Sequence, residues 1–140
     1  AMTLLDELLN KLSGRKVFII SGNHDNAKRL SFGKDFLKKH DIYISTVPQT
    51  GENEKIEKVT YADEYGNVNI YMLPFLKPAL FKNSMPEEAA AGEDAIIKKL
   101  VENTDIDKNE RNIILAHQFF VSGHKEPELC ESEQTPDIVG

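Results

Sequence analysis

A chain of 140 residues with a hydrophobic fraction of 40% and a charged fraction of 29% has the make-up of one folded domain or a large piece of one. That composition excludes collagen-like, low-complexity and wholly disordered readings. The net charge of −6 is uneven: residues 1–50 carry eight Lys/Arg against five Asp/Glu, and residues 51–140 carry nine against eighteen.

Leu4, Leu5, Leu8, Leu9 and Leu12 recur at helical spacing behind Thr3, and Ser13-Gly14 is a stop signal. The run Lys16-Val17-Phe18-Ile19-Ile20 predicts a strand buried on both faces, as in a parallel sheet between helices. It leads directly into Ser21-Gly22-Asn23-His24-Asp25. A helical pattern over Ala27 to His40 follows, with Gly33 as a point of division, and then a second strand, Ile42-Tyr43-Ile44. Pro48 to Glu54 reads as a loop.

Alternation over Lys55–Ala62 and Val68–Leu73 around Asp63–Asn67 predicts an antiparallel hairpin, with Val68, Ile70 and Met72 on one face. Ser84 is the expected cap of a helix that starts near Pro86 and reaches Glu102, with Gly92 as a possible break. Asn112–Ala116 predicts another buried strand, running into His117. This order is α/β, and in such sheets active sites gather at the carboxyl ends of parallel strands. His24 and His117 both follow strands, so neighbouring strands would bring them to one rim.

Gly22-Asn23-His24-Asp25 places an amide oxygen, an imidazole and a carboxylate on one tight turn. A divalent ion accepts an amide oxygen and an imidazole nitrogen, and a pair of ions is common machinery for phosphate-ester hydrolysis. Asp25 is placed to orient the His24 ring. No apolar run spans a bilayer, and the first residues carry Asp6 and Glu7 rather than a basic run. Cys130 is the single cysteine, which excludes an internal disulfide and a Cys-rich zinc site and favours a reducing cytoplasm. An acidic chain is not held to nucleic acid by its overall field, so DNA contact would fall to the basic run 28–39. Lys28 and Arg29 are the candidates, with a solvated helix face as the alternative. Phe75, Phe81, Phe119 and Phe120 are expected in packing rather than in base stacking.

An apolar strand followed by Gly22-Asn23-His24-Asp25 resembles the third motif of the calcineurin-like metallophosphoesterases. Arg29-Leu30, Leu73-Pro74-Phe75-Leu76-Lys77-Pro78 and Leu115-Ala116-His117-Gln118-Phe119-Phe120, in that order, narrow the resemblance to the SbcD family of bacterial nuclease subunits. The resemblance implies a β-sandwich with a mixed sheet flanked by helices. It implies two divalent ions, manganese before magnesium, with Asn23 and His117 as ligands and His24 as general acid.

It also implies ATP-dependent double-strand exonuclease and single-strand endonuclease action on DNA in repair, recombination and replication. The implied partners are an SbcC-like coiled-coil ATPase and a second copy, in the cytoplasm and without a membrane. The Asp-x-His and Gly-Asp-x-x-Asp motifs of that family do not occur upstream of Gly22, and Gly123-His124-Lys125-Glu126 lacks the second histidine of its Gly-His-x-His motif. Residues 1–140 are therefore expected to be a single incomplete domain, truncated at both ends and inactive alone. Another calcineurin-like phosphodiesterase or phosphatase, or a non-catalytic scaffold, are the alternatives.

Overall fold

A computed structural model describes residues 2–47 and 54–118. His124, Cys130, Phe119 and Phe120 lie outside the described residues. Helix α1 (Met2–Leu12) ends before Gly14, whose φ of +79° is the left-handed conformation expected of a helix stop. Strand β1 (Val17–Ile20) pairs in parallel with β2 (Ile42–Ser45), in register from Val17 opposite Ile42 to Ile20 opposite Ser45. The intervening segment forms α2 (Ala27–Leu30) and α3 (Lys34–Lys38), divided at Gly33 with φ +73°.

Strands β3 (Glu57–Asp63) and β4 (Gly66–Leu73) form the predicted antiparallel hairpin, and β5 (Arg111–Ala116) lies parallel to β4 on its other side. The result is a mixed α/β arrangement with two sheets among the described residues. Alternation along β4 sorts its side chains. Val68, Ile70 and Met72 are buried against Phe18, Ile20 and Tyr43 of the first sheet. Tyr71 and Leu73 point the other way, into a cluster with Leu76, Phe81, Met85, Ile96 and Leu100. The helical layer supplying that cluster is a short 3₁₀ turn at Pro78–Phe81, α4 (Pro86–Ala91) and α5 (Glu93–Asn103). Gly92, at φ +113°, separates α4 from α5, as the sequence suggested.

Three expectations are corrected. Ser84 does not cap α4: the helix starts one residue later than a Ser84 cap requires, so Met85 stands at the cap position, without a side-chain cap hydrogen bond, and Pro86 takes the first helical position. Strands β1 and β5 are not fully buried: β1 is half-buried throughout, and Ile113 and Ile114 on opposite faces of β5 are 48% and 54% exposed. Among the described residues each is bonded on one side alone, so apolar side chains selected for a covered strand stand without cover. Finally, β1 and β5 are not neighbours in one sheet.

A polar lattice closes the far end of the second sheet. Arg111 makes a forked ion pair with Asp63 across the hairpin and donates to the Gly66 carbonyl at 2.9 Å. The guanidinium holds the Asp63 carboxyl below its ordinary range. Buried Asn69 accepts from Thr60 Oγ1 at 2.6 Å and donates to Glu110 at 2.8 Å and to Asn112 at 3.1 Å, so both ends of its amide are satisfied. The Asn69 and Asn67 amides in turn hold the Glu110 carboxyl below its usual value.

Candidate active site

Strand pairing brings several carboxyl ends together even though they belong to different sheets. Ser21, the first residue beyond β1, is buried and connects them. Its N–H donates to the Ser45 carbonyl at the end of β2 (3.1 Å), and its hydroxyl donates to the Thr46 carbonyl (2.9 Å). Its own carbonyl accepts from the Phe75 N–H just past β4 (3.0 Å). The β5 exit joins through the His117 N–H, which donates to the Leu73 carbonyl at 3.3 Å, and the Gln118 amide, which donates to the Pro74 carbonyl at 3.0 Å. One rim therefore collects four strand ends. Ser21 was not singled out in the sequence; its only signal was a small polar residue directly behind an apolar strand.

On this rim the side chains of Asn23 and His117, 94 residues apart in sequence, meet with Asn23 Oδ1 3.2 Å from His117 Nε2. The amide oxygen is an acceptor, so a hydrogen bond here requires the proton on Nε2. A metal ion would replace that proton. Donors adjacent on one ion, each about 2.0–2.2 Å from it, are themselves about 3 Å apart, so the observed spacing suits two ligands of one ion. Phe75 presents its ring edge-on to His117, with centroids 6.1 Å apart. Gln118 Oε1 and Ser45 Oγ are buried here without a hydrogen-bond partner among the described residues.

Gly22 does more than bend the chain. A Cβ built on it would stand 3.2 Å from both Cε1 and Nε2 of His117. The absent side chain is what lets the imidazole approach the turn. Asp25 has a different role from the one expected: its Oδ2 accepts from the Gly22 N–H at 2.7 Å, while the Asp25 N–H returns to the Gly22 carbonyl at 3.4 Å. The carboxylate therefore fixes the turn that carries Asn23 and His24, rather than the His24 ring. The side chain of His24 is exposed on that turn.

Gly22→Ala should push the His117 ring away by a few tenths of an ångström. The measurable result is a shift of the His117 ring resonances, and unchanged resonances would show that the close approach is not required.

Asn26 caps α2 by accepting from the Arg29 N–H at 3.0 Å. Lys28 and Arg29 are exposed on that helix and form no ion pair among the described residues, whereas Lys34 in the same basic run is paired with Glu57 at 3.2 Å. No contact joins Lys28 or Arg29 to the Asn23–His117 pair among the described residues.

The donor set tests the fit of a metal. Asn23 and His117 are of suitable type and spacing, but among the described residues no group of three His, Cys, Asp or Glu side chains converges. These residues supply part of a centre and do not complete one.

No protein-family profile matches the chain. Among curated proteins the chain is similar to the SbcD component of nuclease SbcCD from Staphylococcus epidermidis, at 25% identity over 128 residues. That similarity covers 88% of this chain and 32% of the relative, so the chain spans about a third of the length of the protein it matches and is similar to a portion of an SbcD protein.

Proposed function

We propose that the chain is part of an SbcD-like nuclease subunit with a calcineurin-like metallophosphoesterase sandwich, and that the rim around Gly22 is part of its phosphodiester-cleaving site. The observation that carries the reading is the meeting of Asn23 and His117 at 3.2 Å across two sheets, on a turn where Gly22 leaves the imidazole room to approach. The similarity to the SbcD component of SbcCD supports it.

Asn23 and His117 would contribute to holding divalent ions, manganese before magnesium, whose remaining ligands would come from outside the described residues. Such ions polarise phosphoryl oxygens and lower the pKa of bound water. The chain's own residues would do the rest. Asp25 and Gly22 fix the turn, and His24, exposed on it and free of the Asn23–His117 contact, donates a proton to the leaving oxygen.

The reading extends to partners. The relative's name places it in a complex, SbcCD, and by that likeness we propose a coiled-coil ATPase partner of the SbcC kind and DNA as substrate. No helix among the described residues is long and apolar enough to cross a membrane, and we place the protein's work in the cytoplasm. By the same likeness we propose pairing with a second copy of the protein.

The test is digestion of linear duplex DNA by the full-length protein with manganese, alone and with its ATPase. We expect cleavage by the full-length protein and none by residues 1–140 alone. Hydrolysis of small phosphodiesters without action on DNA would place the protein in another branch of the phosphoesterases. No hydrolysis of either would favour a scaffold.

The exposed Lys28 and Arg29 follow the turn closely enough to meet phosphates beside it. Each phosphate contact contributes about −0.9 to the slope of log affinity against log salt on duplex DNA. Replacing both by alanine in the full-length protein should flatten that slope by up to about 1.8 and weaken all sequences alike. An unchanged slope with preserved stability would leave the pair as a solvated helix face.

A further inference from the structure

The segment Leu73-Pro74-Phe75 leaves β4 between the two halves of the rim and holds both. Toward β5, the Leu73 carbonyl accepts from the His117 N–H at 3.3 Å, and the Pro74 carbonyl accepts from the Gln118 amide at 3.0 Å. Toward β1, the Phe75 N–H donates at 3.0 Å to the carbonyl of Ser21, which directly precedes Gly22 and Asn23. The segment is stiff for reasons its residues supply. Leu73 is 1% exposed in the cluster shared with the helical layer, and Pro74 is fully buried. The proline ring fixes its own φ and keeps Leu73 extended.

Phe75 is set apart from that packing. It is half-buried and joins neither apolar cluster among the described residues. The aromatic ring it meets is that of His117, edge-on with centroids 6.1 Å apart. His117 needs such a neighbour. Its N–H is fixed, but its side chain still turns about its own bonds, and the 3.2 Å contact with Asn23 Oδ1 is exposed to water, where one hydrogen bond holds little. Gly22 leaves the imidazole room without gripping it. The Phe75 ring is an apolar wall against the imidazole, and its backbone is tied to the segment that carries Asn23. One residue therefore links the two donors of the rim.

We propose, on the nuclease reading above, that Phe75 is a positioning residue for the candidate centre: its ring holds the His117 imidazole toward Asn23, so that both donors stand ready for one divalent ion. It touches neither the ion nor the substrate. Outer partners that orient a ligating imidazole alter ion affinity by about 10–100-fold when they are removed.

The variants are Phe75→Leu, which keeps an apolar side chain without the ring, and Phe75→Tyr, which keeps the ring. Full-length protein labelled at glycine and histidine alone gives the first readout, without ions or turnover. It is the cross-peak between the Gly22 Hα and His117 Hε1 protons, which reports the approach of the imidazole to the turn. The parent and Phe75→Tyr should show it, and Phe75→Leu should lose it. Calorimetric titration with manganese gives the second readout. Phe75→Leu should bind about ten-fold more weakly or worse, and Phe75→Tyr as the parent does.

The proposal is overturned by a cross-peak that is missing from the parent or retained in Phe75→Leu, by manganese binding of the parent that Phe75→Leu leaves unchanged, or by a Phe75→Tyr that behaves as Phe75→Leu does. It is also overturned if Phe75→Leu lowers the melting temperature as far as Phe81→Ala, since the ring would then be a packing element. In each of these cases a parent that binds manganese and cuts DNA keeps the nuclease reading. A parent that binds no manganese, with the cross-peak present and lost in Phe75→Leu, would overturn the nuclease reading and leave Phe75 as the residue that positions His117.

Discussion

His24→Ala in the full-length protein, acting as the proposed nuclease, should lower the rate of DNA cleavage by about 10²–10⁴-fold, the usual contribution of a positioned proton donor. It should leave ion binding almost unchanged. The reason is local. Asn23 and His117 face each other at 3.2 Å, and the turn beneath them is held by Asp25 on the Gly22 N–H, so neither feature depends on the imidazole of His24. The exposed ring is free to meet a leaving group.

Isothermal titration with manganese and single-turnover cleavage, run on the same preparation, separate the two roles. Loss of an ion together with activity would make His24 a ligand. Full activity would remove it from the mechanism. His117→Ala is the matched contrast, expected to lose both ion affinity and rate.

Much of this site was legible in the sequence because its parts are local. An apolar strand followed by Gly-Asn-His-Asp states the turn and its donors within nine residues, and a histidine behind a second strand states the other half. The alternation Val68, Ile70, Met72 likewise named the face of β4 that meets the first sheet. What was hidden is which sheet each strand joins. Period-two patterning assigns a face but not a partner, so β1 and β5 read as possible neighbours although they lie in different sheets and meet at their exits, through the end of β4 and the Asn23–His117 contact.

Burial was misjudged for a related reason. The apolar run Ile113-Ile114-Leu115 records what β5 can bury, not whether these residues supply the cover, and Ile113 and Ile114 stand half-exposed. Asp25 was misassigned because a carboxylate next to a histidine in sequence has a backbone N–H three residues back within easier reach.

Phe81→Ala should destabilise the fold by about 3–5 kcal/mol, the range for removing a fully buried aromatic ring and leaving its cavity. Phe81 is 0% exposed and closes the 3₁₀ turn, where it clusters with Leu73 of β4, Leu76, Ile96 and Leu100. The sheet and the helical layer share that cluster, so the ring's loss weakens the joint between them rather than one element. Domain stabilities are about 5–15 kcal/mol, so a loss of this size raises the unfolded fraction by roughly 10²–10⁴-fold.

The effect should also travel to the rim. Leu73 holds the His117 N–H through its carbonyl at 3.3 Å, and Phe75, two residues on, holds Ser21 at 3.0 Å. Phe36, 65% exposed and tilted against the His40 ring with centroids 4.8 Å apart, is the control: Phe36→Ala should change stability by no more than about 0.5 kcal/mol. Urea unfolding of the two variants beside the parent chain measures both. A Phe81 variant as stable as the Phe36 variant would mean that the helical layer is not joined to the sheet through this ring.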